Sequence, residues 1–85
     1  MTSINLDGKE FKVPEDCYHV AIDFDGKIHA YEKQPILGNT LAGCWLTASY
    51  WEKPGVIIGD LDRIVPEWED CLFSIMQAEH SVNPS

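Results

Sequence analysis

The chain has no long apolar run, few cations and an odd handful of cysteines, and each shortage closes a class of function. No stretch approaches the roughly 20 apolar residues that a membrane-spanning helix requires; runs of apolar and glycine residues such as Gly55 to Gly59 are far shorter. The opening Met1-Thr2-Ser3-Ile4-Asn5-Leu6-Asp7 has neither the cationic start nor the apolar stretch of a secretory leader. Six Lys and Arg stand against fourteen Asp and Glu, a formal charge of −8. The clustered cations on which phosphate affinity rests are missing, so direct nucleic-acid binding is not expected. Three cysteines, Cys17, Cys44 and Cys71, lie far apart, where a small secreted scaffold carries an even set of roughly four to eight. Free thiols in a reducing, cytoplasmic setting are the expectation.

What is present is apolar enough to fold. Of 85 residues, 45% are hydrophobic, with three Trp, three Tyr and three Phe, too much apolar surface for a solvated tail. Neither a repeat nor a linker interrupts the chain, so residues 1–85 are expected to form a single domain. A domain this small buries only about 60–65% of its unfolded surface, and it gains from tight packing or a partner.

Local signals favour strands first. Ile4-Asn5-Leu6 and Lys9-Glu10-Phe11-Lys12-Val13 flank Asp7-Gly8, a strong hairpin signal because both corners of a tight turn need positive φ. Tyr18-His19-Val20-Ala21-Ile22-Asp23 and Lys27-Ile28-His29-Ala30-Tyr31-Glu32 alternate around a second turn at Asp25-Gly26. Residues 33–43, punctuated by Pro35, Gly38, Asn39 and Gly43, read as a loop. Cys44 to Trp51 reads as a strand rich in β-favouring residues, with a helix over 40–50 as the alternative. Val56-Ile57-Ile58 is a short apolar strand. Pro66-Glu67 then opens an expected helix, in which Trp68, Cys71, Leu72, Ile75 and Met76 form one apolar stripe and Phe73 lies off it. The last residues, about 81–85, are expected to fray. The pattern predicts an α+β fold: an antiparallel sheet of four to six strands with one C-terminal amphipathic helix packed on it.

Chemistry-bearing motifs are few. Asp23-x-Asp25 meets Gly26 at once, and a twelve-residue calcium loop would end on Gln34 rather than Glu. Cys17-x-His19 is too short for a zinc knuckle, and no two cysteines are close enough to share one. Cys71 and Cys44 read as core thiols. Cys17, the cysteine expected to be most exposed, has Glu15 and Asp16 beside it to hold it protonated. No Gly-rich phosphate loop, G-x-S-x-G elbow or H-E-x-x-H occurs. No catalytic residue, metal ligand or cofactor is expected, and the chain reads as a non-enzyme.

Charge placement is more informative. Residues 1–53 hold eight acids and five bases, whereas residues 54–85 hold six acids and only Arg63. Asp60, Asp62, Glu67, Glu69, Asp70 and Glu79 therefore concentrate negative charge in the last third. Such a face either keeps a small protein soluble or docks in a cationic groove, its carboxylates standing in for phosphates. Phe24 in a turn, Phe73 off the stripe and Trp51 are the candidate apolar anchors. A homodimer burying Trp45 and Trp51 would use similar surface.

The run from Tyr18 to Pro35, with Trp45, Ile58-Gly59-Asp60 and Trp68-Glu69-Asp70-Cys71-Leu72, resembles small acidic accessory proteins of tailed bacteriophages and prophages. The resemblance spans residues 14–76. It implies a viral origin and a role among proteins that evade host defence, anti-CRISPR inhibitors and nucleic-acid mimics included. The partner so implied is a host protein with a basic surface, such as a CRISPR or other nucleic-acid-binding complex, blocked by steric and electrostatic occlusion. A homo-oligomeric structural or accessory phage protein without inhibitory role is the alternative.

Overall fold

A computed structural model of the chain describes residues 2–38, 41–49 and 53–75. Asp7 and Gly8 take φ of 53° and 77°, the left-handed conformation that a two-residue hairpin turn needs at both corners. They join β1 (Thr2–Leu6) to β2 (Lys9–Val13), with Ile4 opposite Phe11. Alternation turns Ile4, Leu6, Phe11 and Val13 inward and leaves Ser3, Asn5, Glu10 and Lys12 in solvent.

β3 (His19–Ile22) and β4 (Lys27–Tyr31) pair antiparallel, His19 with Tyr31 and Ile22 with Ile28. Their connection is a four-residue loop, not the expected two-residue turn. Asp23 N–H donates to Lys27 O (3.0 Å) and Gly26 N–H to Asp23 O (2.9 Å). Gly26 has positive φ and Asp25 does not.

The expected loop over 33–43 contains β5 (Ile36–Leu37), which pairs with β6 (Trp45–Leu46) in a two-stranded ribbon. The strand expected over 44–51 is thus only two residues long. Thr47 to Ser49 lie outside any strand, Leu41 to Gly43 form a turn rather than a helix, and Tyr50 and Trp51 lie outside the described residues. β7 (Val56–Asp60) joins the free edge of β4 through a bulge between Ile28 and His29.

The expected C-terminal helix does not form. Glu67 leads into a 3-10 turn at Trp68–Asp70, and the chain then straightens into β8 (Leu72–Ser74) alongside β3. Apolar spacing over so short a segment cannot separate helix from strand, and the edge of β3 decides it. Cys71 O accepts from Ile22 N–H (3.1 Å), and Ile75 N–H donates to Tyr18 O (2.8 Å). Leu72, Phe73 and Ile75 suit a pleated surface. Phe73 stands opposite Val20, half-buried against the core rather than exposed; Met76 and the tail 81–85 lie outside the described residues. The fold is therefore mostly β, not α+β: a four-stranded antiparallel sheet in the order β7-β4-β3-β8, with two separate two-stranded ribbons.

The core runs through that sheet. Val13, Val20, Ile28 and Val65 are fully buried, each worth about 1.5–3 kcal/mol relative to exposure. The β1–β2 ribbon rests on β7 where Phe11 lies over Gly59; a side chain at that glycine would run into the ring. Trp45, 7% exposed, is a core residue and not a dimer anchor. Its Nε1–H donates to Ile22 O (2.9 Å), and its ring meets Trp68 edge-on at 6.1 Å.

Candidate functional site

Four connections converge at one end of the molecule, three through backbone hydrogen bonds and one through a side chain. Leu61 N–H donates to Gly26 O (2.9 Å) and Val65 N–H to Phe24 O (2.8 Å), which lays residues 61–65 along the β3–β4 loop. Phe24 N–H donates to Gly43 O (2.8 Å), adding the turn before β6. Arg63 completes the assembly by forking onto Asp7 in the β1–β2 turn, Nε to Oδ2 at 2.6 Å and Nη2 to Oδ1 at 3.2 Å. The same Nη2 reaches Glu67 Oε2 at 3.2 Å. Two parallel N–H···O bonds make this the most directional ion pair among the described residues.

The acids of the 60–70 segment divide into two groups. Asp60 Oδ1 accepts from Asp62 N–H at 2.7 Å, holding a turn in which Asp62 takes a φ of 61°. Asp62 pairs with Lys9 at 3.4 Å, and Glu67 with Arg63. The Arg63 hydrogen bond holds the Asp7 carboxyl below its usual range. Glu67 is lowered by its own backbone N–H and then by Arg63, while both carboxylates raise the Arg63 guanidinium. Glu69 and Asp70, by contrast, are exposed and have no ion pair among the described residues. Asp60 ends β7 and the other acids lie in bends and turns, so they do not line the face of a helix. The cluster remains negative nonetheless: Asp7, Asp25, Asp60, Asp62, Glu67, Glu69 and Asp70 outnumber Lys9, Lys27 and Arg63.

Apolar groups stand among these carboxylates. Phe24 is 41% exposed, as its turn position suggested, and Ile64 is 53% exposed. Leu41, in the adjoining turn, is exposed too. Of the expected site residues, the structure brings Phe24, Asp60, Asp62 and Glu67 together, with Glu69 and Asp70 following in the chain. It removes Phe73 to the sheet, and Trp51 and Glu79 lie outside the described residues. Sequence reasoning missed Ile64, Asp7 and Arg63 as members of this surface. The Asp-Gly turn was visible, but nothing local says that it meets a residue 56 positions away.

The interior holds a second polar group. Asp23 Oδ1 accepts from Trp45 N–H at 3.0 Å, and Asp23 Oδ2 lies 3.6 Å from His29 Nδ1, too far for a hydrogen bond. Burial raises the Asp23 carboxyl, partly offset by the Trp45 N–H. His19 pairs with Tyr31 and His29 with Ala21, so the two histidines are diagonal neighbours across the hairpin. Cys17 is not the exposed thiol expected: it is 2% exposed, and burial followed by Asp16 pushes it up to about 11. Burial likewise raises Cys71. Both are neutral at pH 7 and poor nucleophiles. No helix among the described residues is long and apolar enough to cross a membrane.

The chain matches no known protein family, no curated protein and no solved structure.

Proposed function

We propose that this chain is a small non-enzymatic binding protein of phage type that docks on a basic host protein and blocks it. The supporting observation is the loop end, where Phe24 and Ile64 are exposed among turns carrying an excess of carboxylates. Loops held by a rigid sheet are the usual carriers of binding. Apolar anchors rimmed by charge of one sign combine burial with steering toward a cationic partner. Glu69 and Asp70, free of internal ion pairs among the described residues, supply the field that reaches a partner, and Phe24 and Ile64 supply the contact area. A nucleic-acid-binding defence complex in the host cytoplasm is the partner class that fits, since its phosphate-binding groove is cationic.

Affinity capture from bacterial lysate at low and moderate salt tests this reading. Wild-type protein is expected to retain a nucleic-acid-binding protein that added DNA displaces. The triple variant Phe24→Ala, Glu69→Lys, Asp70→Lys is expected to lose it. Recovery of no basic or nucleic-acid-binding protein, or equal recovery by the variant, would count against it.

A further inference from the structure

We infer that the Asp7-Gly8 turn is a self-modification site, at which the chain rearranges to isoaspartate, and that Arg63 is the side chain that guards it. Where glycine follows aspartate, the glycine nitrogen can attack the aspartate Cγ, because no side chain shields that nitrogen. A bond forms between nitrogen and Cγ, and the carboxyl hydroxyl leaves as water with the amide proton. Water then adds to the five-membered imide at the former backbone carbonyl. The old peptide bond breaks there, so the chain now runs through Cβ and the former backbone carbonyl becomes a free carboxylate. One water leaves and one returns, and no oxidant or cofactor takes part.

Asp-Gly occurs twice in the chain, at Asp7-Gly8 and at Asp25-Gly26, and the fold treats the two oppositely. Gly26 N–H donates to Asp23 O at 2.9 Å, so its nitrogen is engaged. Asp25 Oδ1 accepts from Lys27 N–H at 3.1 Å, which holds the carboxyl beyond Gly26. Space is closed as well, since a Cβ at Gly26 would run into Arg63 O. Gly8 N–H, by contrast, has no hydrogen-bond partner among the described residues. Nothing lies within 4 Å of where its Cβ would stand, and both residues of the turn are exposed. A turn lengthened by one chain atom meets only water there.

Only a neutral carboxyl can lose its hydroxyl as water, and only one free to swing can meet the nitrogen. Arg63 opposes both. Its fork holds the two Asp7 oxygens at 2.6 and 3.2 Å, which fixes the carboxyl. Its hydrogen bond and its charge also keep Asp7 ionised, and Lys9 acts in the same direction. Glu67, which shares the guanidinium, is a like charge beside Asp7. Isoaspartate would undo this arrangement. The extra chain atom falls between two corners that both take positive φ, and the displaced carboxylate leaves the fork, so the β1–β2 turn loses its tie to Arg63.

Peptide mapping with electron-transfer fragmentation separates isoaspartate from aspartate and tests this on the full chain, held folded in mildly acidic buffer. The wild type is expected to accumulate isoaspartate slowly at Asp7 and not at Asp25. In urea, where both glycine nitrogens are free, the two sites should convert at similar rates. Arg63→Ala should speed conversion at Asp7 about 2- to 5-fold, the strength of an exposed ion pair, and leave Asp25 unchanged. Arg63→Lys, which keeps the charge and loses the fork, should fall between. In heavy-oxygen water each conversion should add one labelled oxygen. Equal conversion of the two sites in folded protein would overturn the proposal. So would an unconverted Asp7 over a period in which urea converts half of it, or an Arg63→Ala rate equal to wild type. Acceleration of both sites alike by Arg63→Ala would overturn the guarding role, since it would mark a general loosening. Phe24→Ala is expected to leave the rates unchanged, so failure here and failure of the docking reading are separately visible.

Discussion

The two small ribbons that flank the central sheet are built alike and used differently. β1–β2 alternates strictly, buries Ile4, Leu6, Phe11 and Val13, and shows solvent only polar groups. β5–β6 is two residues wide and buries Trp45, while Ile36, Leu37 and Leu46 stay about half exposed. One ribbon completes the core and the other is pinned to it at a single tryptophan. Apolar composition alone therefore does not measure how much a segment stabilises; the area actually removed from water does.

Substitutions can sharpen that contrast, beginning with the core. Phe11→Ala should cost about 3 kcal/mol in urea unfolding, the low end for a phenylalanine because the ring is only partly buried. A loss under about 1 kcal/mol would show that the first ribbon is as dispensable as the second. Asp23→Ala strips the acceptor from Trp45 N–H, the hydrogen bond that seats the second ribbon, and should cost about 1–3 kcal/mol. Asp23→Asn keeps an oxygen there and should lose much less. Burial raises the Asp23 carboxyl in the folded state. Its protonated form is therefore favoured on folding, and that contribution is lost as pH rises through the raised value. Thermal melts between pH 3 and 7 should show Asp23→Asn gaining stability relative to wild type as pH rises, because the variant lacks the contribution that wild type loses.

Arg63→Ala should have a smaller effect, since exposed ion pairs contribute little. Its signature lies in acid. Arg63 holds Asp7 and Glu67 below their usual ranges, so their contribution is present above the ordinary carboxylate pKa and is lost as pH falls toward the lowered values. The variant should lose less stability between pH 5 and 2 than wild type; an equal loss would show that the clamp across the loop end is idle. Smallest of all, Leu46→Ser should alter stability by no more than about 0.5 kcal/mol, because its side chain is already half in water.

Local chemistry made the two main hairpins legible. Asp7-Gly8 and the alternation of residues 18–32 carry their own instructions, since turn geometry and period-two patterning act over a few residues. The segment from Pro66 to Ile75 does not. Its apolar spacing suits a helix, yet its backbone groups bond to Tyr18 and Ile22, some 50 positions earlier, and an open strand edge outweighs a weak propensity. The same limit applied to Cys17, which the sequence placed among acids and the fold placed in the core.

The candidate site divides along that line as well. Phe24 in a turn and the excess of acid after residue 59 could be read directly, because turns face water and charge is additive. The pairing of Arg63 with Asp7, the arrival of Ile64 beside Phe24 and the withdrawal of Phe73 into β8 could not. Composition and short-range pattern settled the net charge, the hairpins and the polar or apolar character of each face. Which carboxylates are neutralised, which apolar groups stay exposed and which strand pairs with which were decided by contacts between distant residues, because only the folded backbone brings their hydrogen-bonding groups and charges within reach of one another.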